Sequence, residues 1–140
     1  MKEKIAQIDH VGIATNNLED SSIFWKMIGL TQLCDDELVE EQGVKVRYYS
    51  SPNADSNSTK IELLEPTGVD TPIGKFLSKR GPGIQQICIR VGDLKKTLST
   101  LLAAGIELID ETPKMGANGA LIAFVHPKST GGVLVELSEY

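Results

Sequence analysis

The sequence predicts an α+β fold in which two βαβββ modules form an incomplete barrel, a cup. Three observations predict it. Apolar runs, some continuous and some alternating, recur between turn signals, which marks strands. Two amphipathic stretches each stop at a glycine, which marks helices. The second half also repeats the first in register. At a shift of 76, Val11 falls on Ile87, Ile13 on Ile89, Leu18 on Leu94, Gly29 on Gly105 and Leu30 on Ile106. At a shift of 74, Ile61-Glu62-Leu63 falls on Val135-Glu136-Leu137. Loops absorb a two-residue change easily.

The elements follow in order. Residues 5–14 form the first strand, and Asn16 or Asn17 caps a helix with Glu19 and Asp20 in its first turn. Ile23, Phe24, Met27 and Ile28 give that helix its apolar side, and Gly29 ends it. Residues 30–39 are the second strand, Glu40-Glu41-Gln42-Gly43 a turn, and 44–50 the third strand. A polar loop over 51–58 leads to a fourth strand from Thr59 to Leu64. Thr71-Pro72 opens a short helix with Ile73, Phe76 and Leu77 on one side. The second half runs as a strand over 84–91, then a helix from Asp93 with Leu94, Leu98, Leu101 and Leu102 on one face. Three strands follow, over 106–109, 120–125 and 132–137. Module one is therefore 5–66, the linker 67–82 and module two 83–140, within one domain.

Composition is that of a soluble globular domain, with 41% hydrophobic and 24% charged residues among 140. The net charge of −5 with no basic face excludes a nucleic-acid partner. No apolar stretch reaches membrane-spanning length and the N-terminus has no apolar h-region, so a cytoplasmic protein with no membrane partner is expected. Cys34 and Cys88 have no metal or redox spacing, and small apolar packing is their expected use.

The repeat singles out two pairs of positions, His10 with Gln86 and Glu62 with Glu136. His10 lies in an apolar strand, where a hydrogen-bonded core histidine and a metal ligand are both open readings. Glu62 and Glu136 are flanked by apolar residues, and alternation could turn either to solvent. In a cup, two ionised carboxylates are costly unless paired or bound to a cation. A divalent metal would neutralise both. His126, before Pro127-Lys128, is expected to be structural.

Several stretches carry a resemblance. These are Ile8-Asp9-His10-Val11-Gly12-Ile13-Ala14, Glu41-Gln42-Gly43-Val44, Lys60-Ile61-Glu62-Leu63-Leu64-Glu65-Pro66, Pro72-Ile73 with Phe76-Leu77, and His126-Pro127-Lys128 through Gly131-Gly132-Val133-Leu134-Val135-Glu136-Leu137. In them the chain resembles the vicinal oxygen chelate superfamily, and within it the methylmalonyl-CoA epimerases. The resemblance implies paired βαβββ modules around a central metal site, with His10, Glu62, Gln86 and Glu136 as ligands. Epimerases of this kind usually have two histidines where this chain has Gln85-Gln86. One nitrogen and three oxygen donors suit a six-coordinate divalent ion, with Zn, Co, Mn, Ni and Mg all open.

The resemblance further implies an isomerase that interconverts (R)- and (S)-methylmalonyl-CoA through a metal-stabilised enolate. Glu136 and Glu62 would be the catalytic carboxylates, and the partner a small acyl-CoA substrate. Lys114 and Lys128 are candidate point charges for its phosphates. Some epimerases use a further acid at the position of Val46, so the second base is open. A homodimer is implied as well. A glyoxalase I-type lactoylglutathione lyase and a metal-free small-ligand-binding protein are the alternative functions.

Overall fold

The computed structural model describes residues 6–140; Ile5, expected in the first strand, lies outside the described residues. Residues 10–85 form one compact unit, and residues 6–9 together with 86–140 form a second. The first half runs β1 (Gln7–Ala14), α1 (Leu18–Met27), β2 (Thr31–Gln32), β3 (Glu37–Val39), β4 (Val44–Ser50), β5 (Lys60–Pro66) and α2 (Pro72–Arg80). The second runs β6 (Gly83–Arg90), α3 (Leu94–Ala103), β7 (Lys114–Met115), β8 (Leu121–Val125) and β9 (Val135–Glu139). Strands of the first half follow the order β2-β4-β5-β1, with β3 also on β4; those of the second follow β6-β9-β8-β7.

The duplication read from the sequence extends to hydrogen bonds. β1 pairs parallel with β5 at Val11 and Ile61, as β6 pairs with β9 at Ile87 and Val135. β4 sets Tyr48 opposite Glu62, as β8 sets Phe124 opposite Glu136. Asn17 caps α1 by accepting from Asp20, and Asp93 caps α3 by accepting from Lys96. The first amide of each helix finds a glutamate on the last strand of its module. Leu18 donates to Glu65 Oε1 at 3.1 Å, and Leu94 donates to Glu139 Oε1 at 2.7 Å. These acids meet orphan donors and the positive helix end together. Gly29 and Gly105 follow the two helices at φ +102° and +82°, a region open to glycine.

Each helix packs on one face of its sheet. Leu18, Tyr49 and Leu63 form one core with Ile13, Trp25 and Ile61 against them. Leu94, Leu98, Ala123, Val125 and Leu137 form the other. Because side chains alternate along a strand, Glu62 between Ile61 and Leu63 points away from α1. Glu136, between Val135 and Leu137, points away from α3.

Four local expectations need correction. The apolar side expected on α1 is exposed: Phe24 is 59% and Met27 81% exposed. Leu18 and Ser22 are the buried residues of α1, and Trp25 packs beside them. The cause is Arg47, which enters under the helix and donates to Ser22 Oγ at 2.9 Å. The strand expected over 30–39 is broken into β2 and β3, with Asp36 between them turned to bond Arg47. Residues 106–109 supply only a single bridge, Leu108 with Val125, and the edge strand is β7 instead. The last strand starts at Val135 rather than residue 132, because the Thr130 hydroxyl bonds Val133 at both amide and carbonyl and holds a turn there.

Candidate functional site

The positions singled out by the repeat form one close pair in each half. In the first, His10 on β1 and Glu62 on β5 approach to 2.8 Å between Nε2 and Oε2. Parallel pairing sets Gly12 beside Glu62 and so holds His10 two residues along the same side. The Tyr48 ring meets the His10 ring edge-on, with centroids 6.4 Å apart. In the second, the Gln86 amide on β6 donates to Glu136 Oε1 on β9 at 3.2 Å. None of the four is more than 6% exposed. The solvent-facing reading of the two acids is thereby excluded.

The chemistry of these donors fits a divalent cation. Neutral imidazole, two carboxylates and an amide oxygen are all competent ligands, and together they match a hard or borderline ion better than a soft one. Burial makes the two negative charges expensive without compensation. The Gln86 nitrogen is turned to Glu136, which leaves its oxygen as the atom that would ligate. Among the described residues no helix is long and apolar enough to cross a membrane.

The two lysines expected to meet substrate differ. Lys114 reaches Asp110 at 3.3 Å and lies 5.1 Å over the Phe124 ring. Since Phe124 is the partner of Glu136, Lys114 belongs to the neighbourhood of the second pair. Lys128 sits in the 3-10 turn Pro127–Ser129 and is exposed. His126 caps that turn, its Nδ1 accepting from the Lys128 amide at 3.0 Å, which is the structural use expected of it. Cys88 is buried on β6 and Cys34 exposed, neither in a disulfide.

Two charged clusters escaped the sequence reading. Arg47, buried on β4, donates to both Asp36 oxygens at 2.7 Å and to Glu19 Oε1 at 2.7 Å. Hydrogen bonding to Arg47 holds the Asp36 and Glu19 carboxyls below the usual carboxylate range. Bonding to Asp36 in turn pushes the guanidinium upward. Asp9 bonds Arg90 at 2.8 Å and Tyr140 at 3.3 Å. A charged residue inside an otherwise apolar strand is the signal that each cluster leaves in the sequence, but it does not name the partner.

Residues 9–124 match the Glyoxalase/Bleomycin resistance protein/Dioxygenase superfamily. The chain is 42% identical over 136 residues to the mitochondrial methylmalonyl-CoA epimerase of Dictyostelium discoideum, covering 96% of this chain and 79% of that one. Among solved structures, methylmalonyl-CoA epimerase of Mycobacterium tuberculosis superposes with a TM-score of 0.84 at 38% identity, over 95% of this chain and 87% of that one. A methylmalonyl-CoA epimerase in complex with methylmalonyl-CoA and NH4+ superposes with a TM-score of 0.87 at 32% identity, over 96% and 94%.

Proposed function

We propose, from the premise that the chain belongs to the Glyoxalase/Bleomycin resistance protein/Dioxygenase superfamily and is an epimerase-like isomerase, that it interconverts (R)- and (S)-methylmalonyl-CoA with a divalent metal ion. The observation that carries the reading is the recurrence of a buried carboxylate, Glu62 and Glu136, at equivalent register in the two modules. Modules 5–66 and 83–140 act as one functional domain in this reading. The similarity to an epimerase bound to methylmalonyl-CoA supports the acyl-CoA substrate.

His10, Glu62, Gln86 and Glu136 would hold the ion, and when bound it supplies a Lewis acid for the thioester carbonyl oxygen. Zn, Co, Mn, Ni and Mg all suit one nitrogen and three oxygen donors. Glu136 as carboxylate takes the α-proton, leaving a substrate enolate, and Glu62, entering the step in its protonated form, returns a proton to the opposite face of C2. Glu136 ends protonated and Glu62 ionised, so the reverse reaction uses the two acids in exchanged roles. A carboxylate already held by a neighbouring amide meets the demand that a base be in place before it reacts. Gln86 orients Glu136 through its 3.2 Å bond. Lys114 and Lys128 attract the phosphates of the CoA as point charges.

A homodimer goes with this reading, supported by the exposed Ile23, Phe24, Met27 and Ile28 on and beside α1. A cytoplasmic location goes with it too, supported by two thiols outside any disulfide.

The test is exchange at C2. Incubation of methylmalonyl-CoA with the protein and each of the five metals in deuterium oxide, followed by NMR, should label C2 in both epimers. Absence of label with every metal would overturn the assignment, and turnover of a glutathione hemithioacetal instead would move it to a lactoylglutathione lyase.

A further inference from the structure

The Asp9, Arg90 and Tyr140 cluster is not used by the proton transfers above. Asp9 is 2% exposed, and a carboxylate that deep needs compensation. Each of its oxygens has a partner: Arg90 Nη2 donates to Oδ1 at 2.8 Å, and the Tyr140 hydroxyl donates to Oδ2 at 3.3 Å. The Arg90 guanidinium also lies 4.4 Å from the centroid of the Tyr140 ring, a cation–π distance. The three side chains close a triangle in which each touches the other two.

Its position along the chain gives the triangle a use. Arg90 stands four residues beyond Gln86 on β6, and Tyr140 four residues beyond Glu136, just past β9. Even spacing within β6 keeps Arg90 on the side of Gln86. Between them the Cys88 thiol donates to Ser138 Oγ at 3.3 Å. Gln86 with Glu136, Cys88 with Ser138 and Arg90 with Tyr140 are thus three successive rungs between the same two strands. Asp9 closes the last rung, and Asp9 is the residue before His10 in β1. Three of the four candidate ligands therefore sit on segments that carry, or directly adjoin, the corners of one ionic triangle built around the buried Asp9.

We propose that Asp9, Arg90 and Tyr140 are positioning residues of the candidate metal site: the triangle fixes the segments that carry His10, Gln86 and Glu136, and so sets the affinity and ligand field of the bound ion. The inference rests on the metal reading above. Its physical basis is that ligand atoms bind well only when their supports hold them in place, and loss of such a support costs metal affinity. A triangle that served stability alone would lower the melting temperature and leave the ion's surroundings unchanged.

Cobalt(II) is the probe, because its visible absorption reports coordination without any turnover. It is titrated into wild type, Tyr140→Phe and Asp9→Asn, with equilibrium dialysis for affinity and circular dichroism for folding. Tyr140→Phe keeps the ring over Arg90 and removes only the hydroxyl. It should fold normally, bind cobalt on the order of tenfold more weakly and show displaced absorption bands. Asp9→Asn should lose more. If Asp9→Asn does not fold, Tyr140→Phe decides alone. Wild-type affinity and an unchanged spectrum in a folded Tyr140→Phe, with or without a lower melting temperature, would overturn the proposal while leaving the metal reading intact. A wild type that binds no cobalt would overturn both.

Discussion

The two modules share one backbone plan and differ in what they do with it. Helix caps, glutamate brackets, strand register and the place of the buried acid all agree between them. The side chains at equivalent places do not. Glu62 faces an imidazole that can carry charge, and Glu136 faces a neutral amide. Beneath the helices, Ser22 and Leu98 occupy equivalent, fully buried positions, but Ser22 serves Arg47 whereas Leu98 belongs to an apolar core. Duplicated backbone geometry thus preserves where a side chain points and leaves its chemistry free to diverge. The asymmetry suits a reaction that must treat two faces of one carbon differently.

The largest expected effect tests the division of labour between the two acids. Glu136→Gln should lower C2 exchange by on the order of a thousandfold with binding of methylmalonyl-CoA retained. Comparable exchange in Glu136→Gln and wild type would remove Glu136 as the base and shift the role to Glu62. Next in size is the contrast beneath the helices. Leu98→Ala should cost about 3 kcal/mol in urea unfolding, and Ser22→Ala about 1 kcal/mol through one lost partner for Arg47. Equal costs would show that the two cores are built alike after all.

The Arg47 cluster adds a pH dependence to the first module. Asp36→Asn should destabilise by about 2 kcal/mol at neutral pH, the scale of hydrogen bonds to a charged group. Because the folded Asp36 carboxyl lies below its ordinary value, its contribution is complete above the unfolded carboxylate range and is lost as pH falls below it. Melting curves of wild type and variant should therefore converge in acid and stay separate at pH 7. A gap that persists at low pH would mean that packing, and not charge, holds the β2–β3 segment.

Gln86→His would make the two pairs more alike. It should raise zinc affinity by about tenfold, read by competition with a chelating dye, since imidazole suits zinc better than an amide oxygen. Unchanged affinity would mean that Gln86 does not ligate. The smallest effect is expected on the exposed side of α1. Phe24→Ser should change monomer stability by less than about 0.5 kcal/mol while weakening self-association in sedimentation. No change in association would remove α1 from the proposed dimer.

Much of the fold was legible because its signals are local. Asn17, Asp93, Gly29 and Gly105 announce helix ends through capping and backbone freedom, and apolar alternation announces strands. The in-register repeat then singled out two pairs of positions, His10 with Gln86 and Glu62 with Glu136. Where the reading failed, a distant partner decided. Ile23, Phe24, Met27 and Ile28 have helical spacing, yet helical spacing alone does not say which face is covered. Arg47, 25 residues from Ser22 in the chain, turned the helix. The same residue bent the segment at Asp36 and split one expected strand into β2 and β3.

The sequence by itself determined the α+β class, the duplication and the paired positions His10 with Gln86 and Glu62 with Glu136, because capping and alternation are short-range properties and a repeat is visible wherever its two copies lie in the chain. Only the tertiary structure decided that both acids are buried, that each has a partner within its own module, and that Asp9, Arg90 and Tyr140 close a triangle. Those facts depend on contacts across 50 to 131 residues of chain. The physical reason is that a buried charge must find its compensation wherever the fold brings it, and chain order does not encode that location.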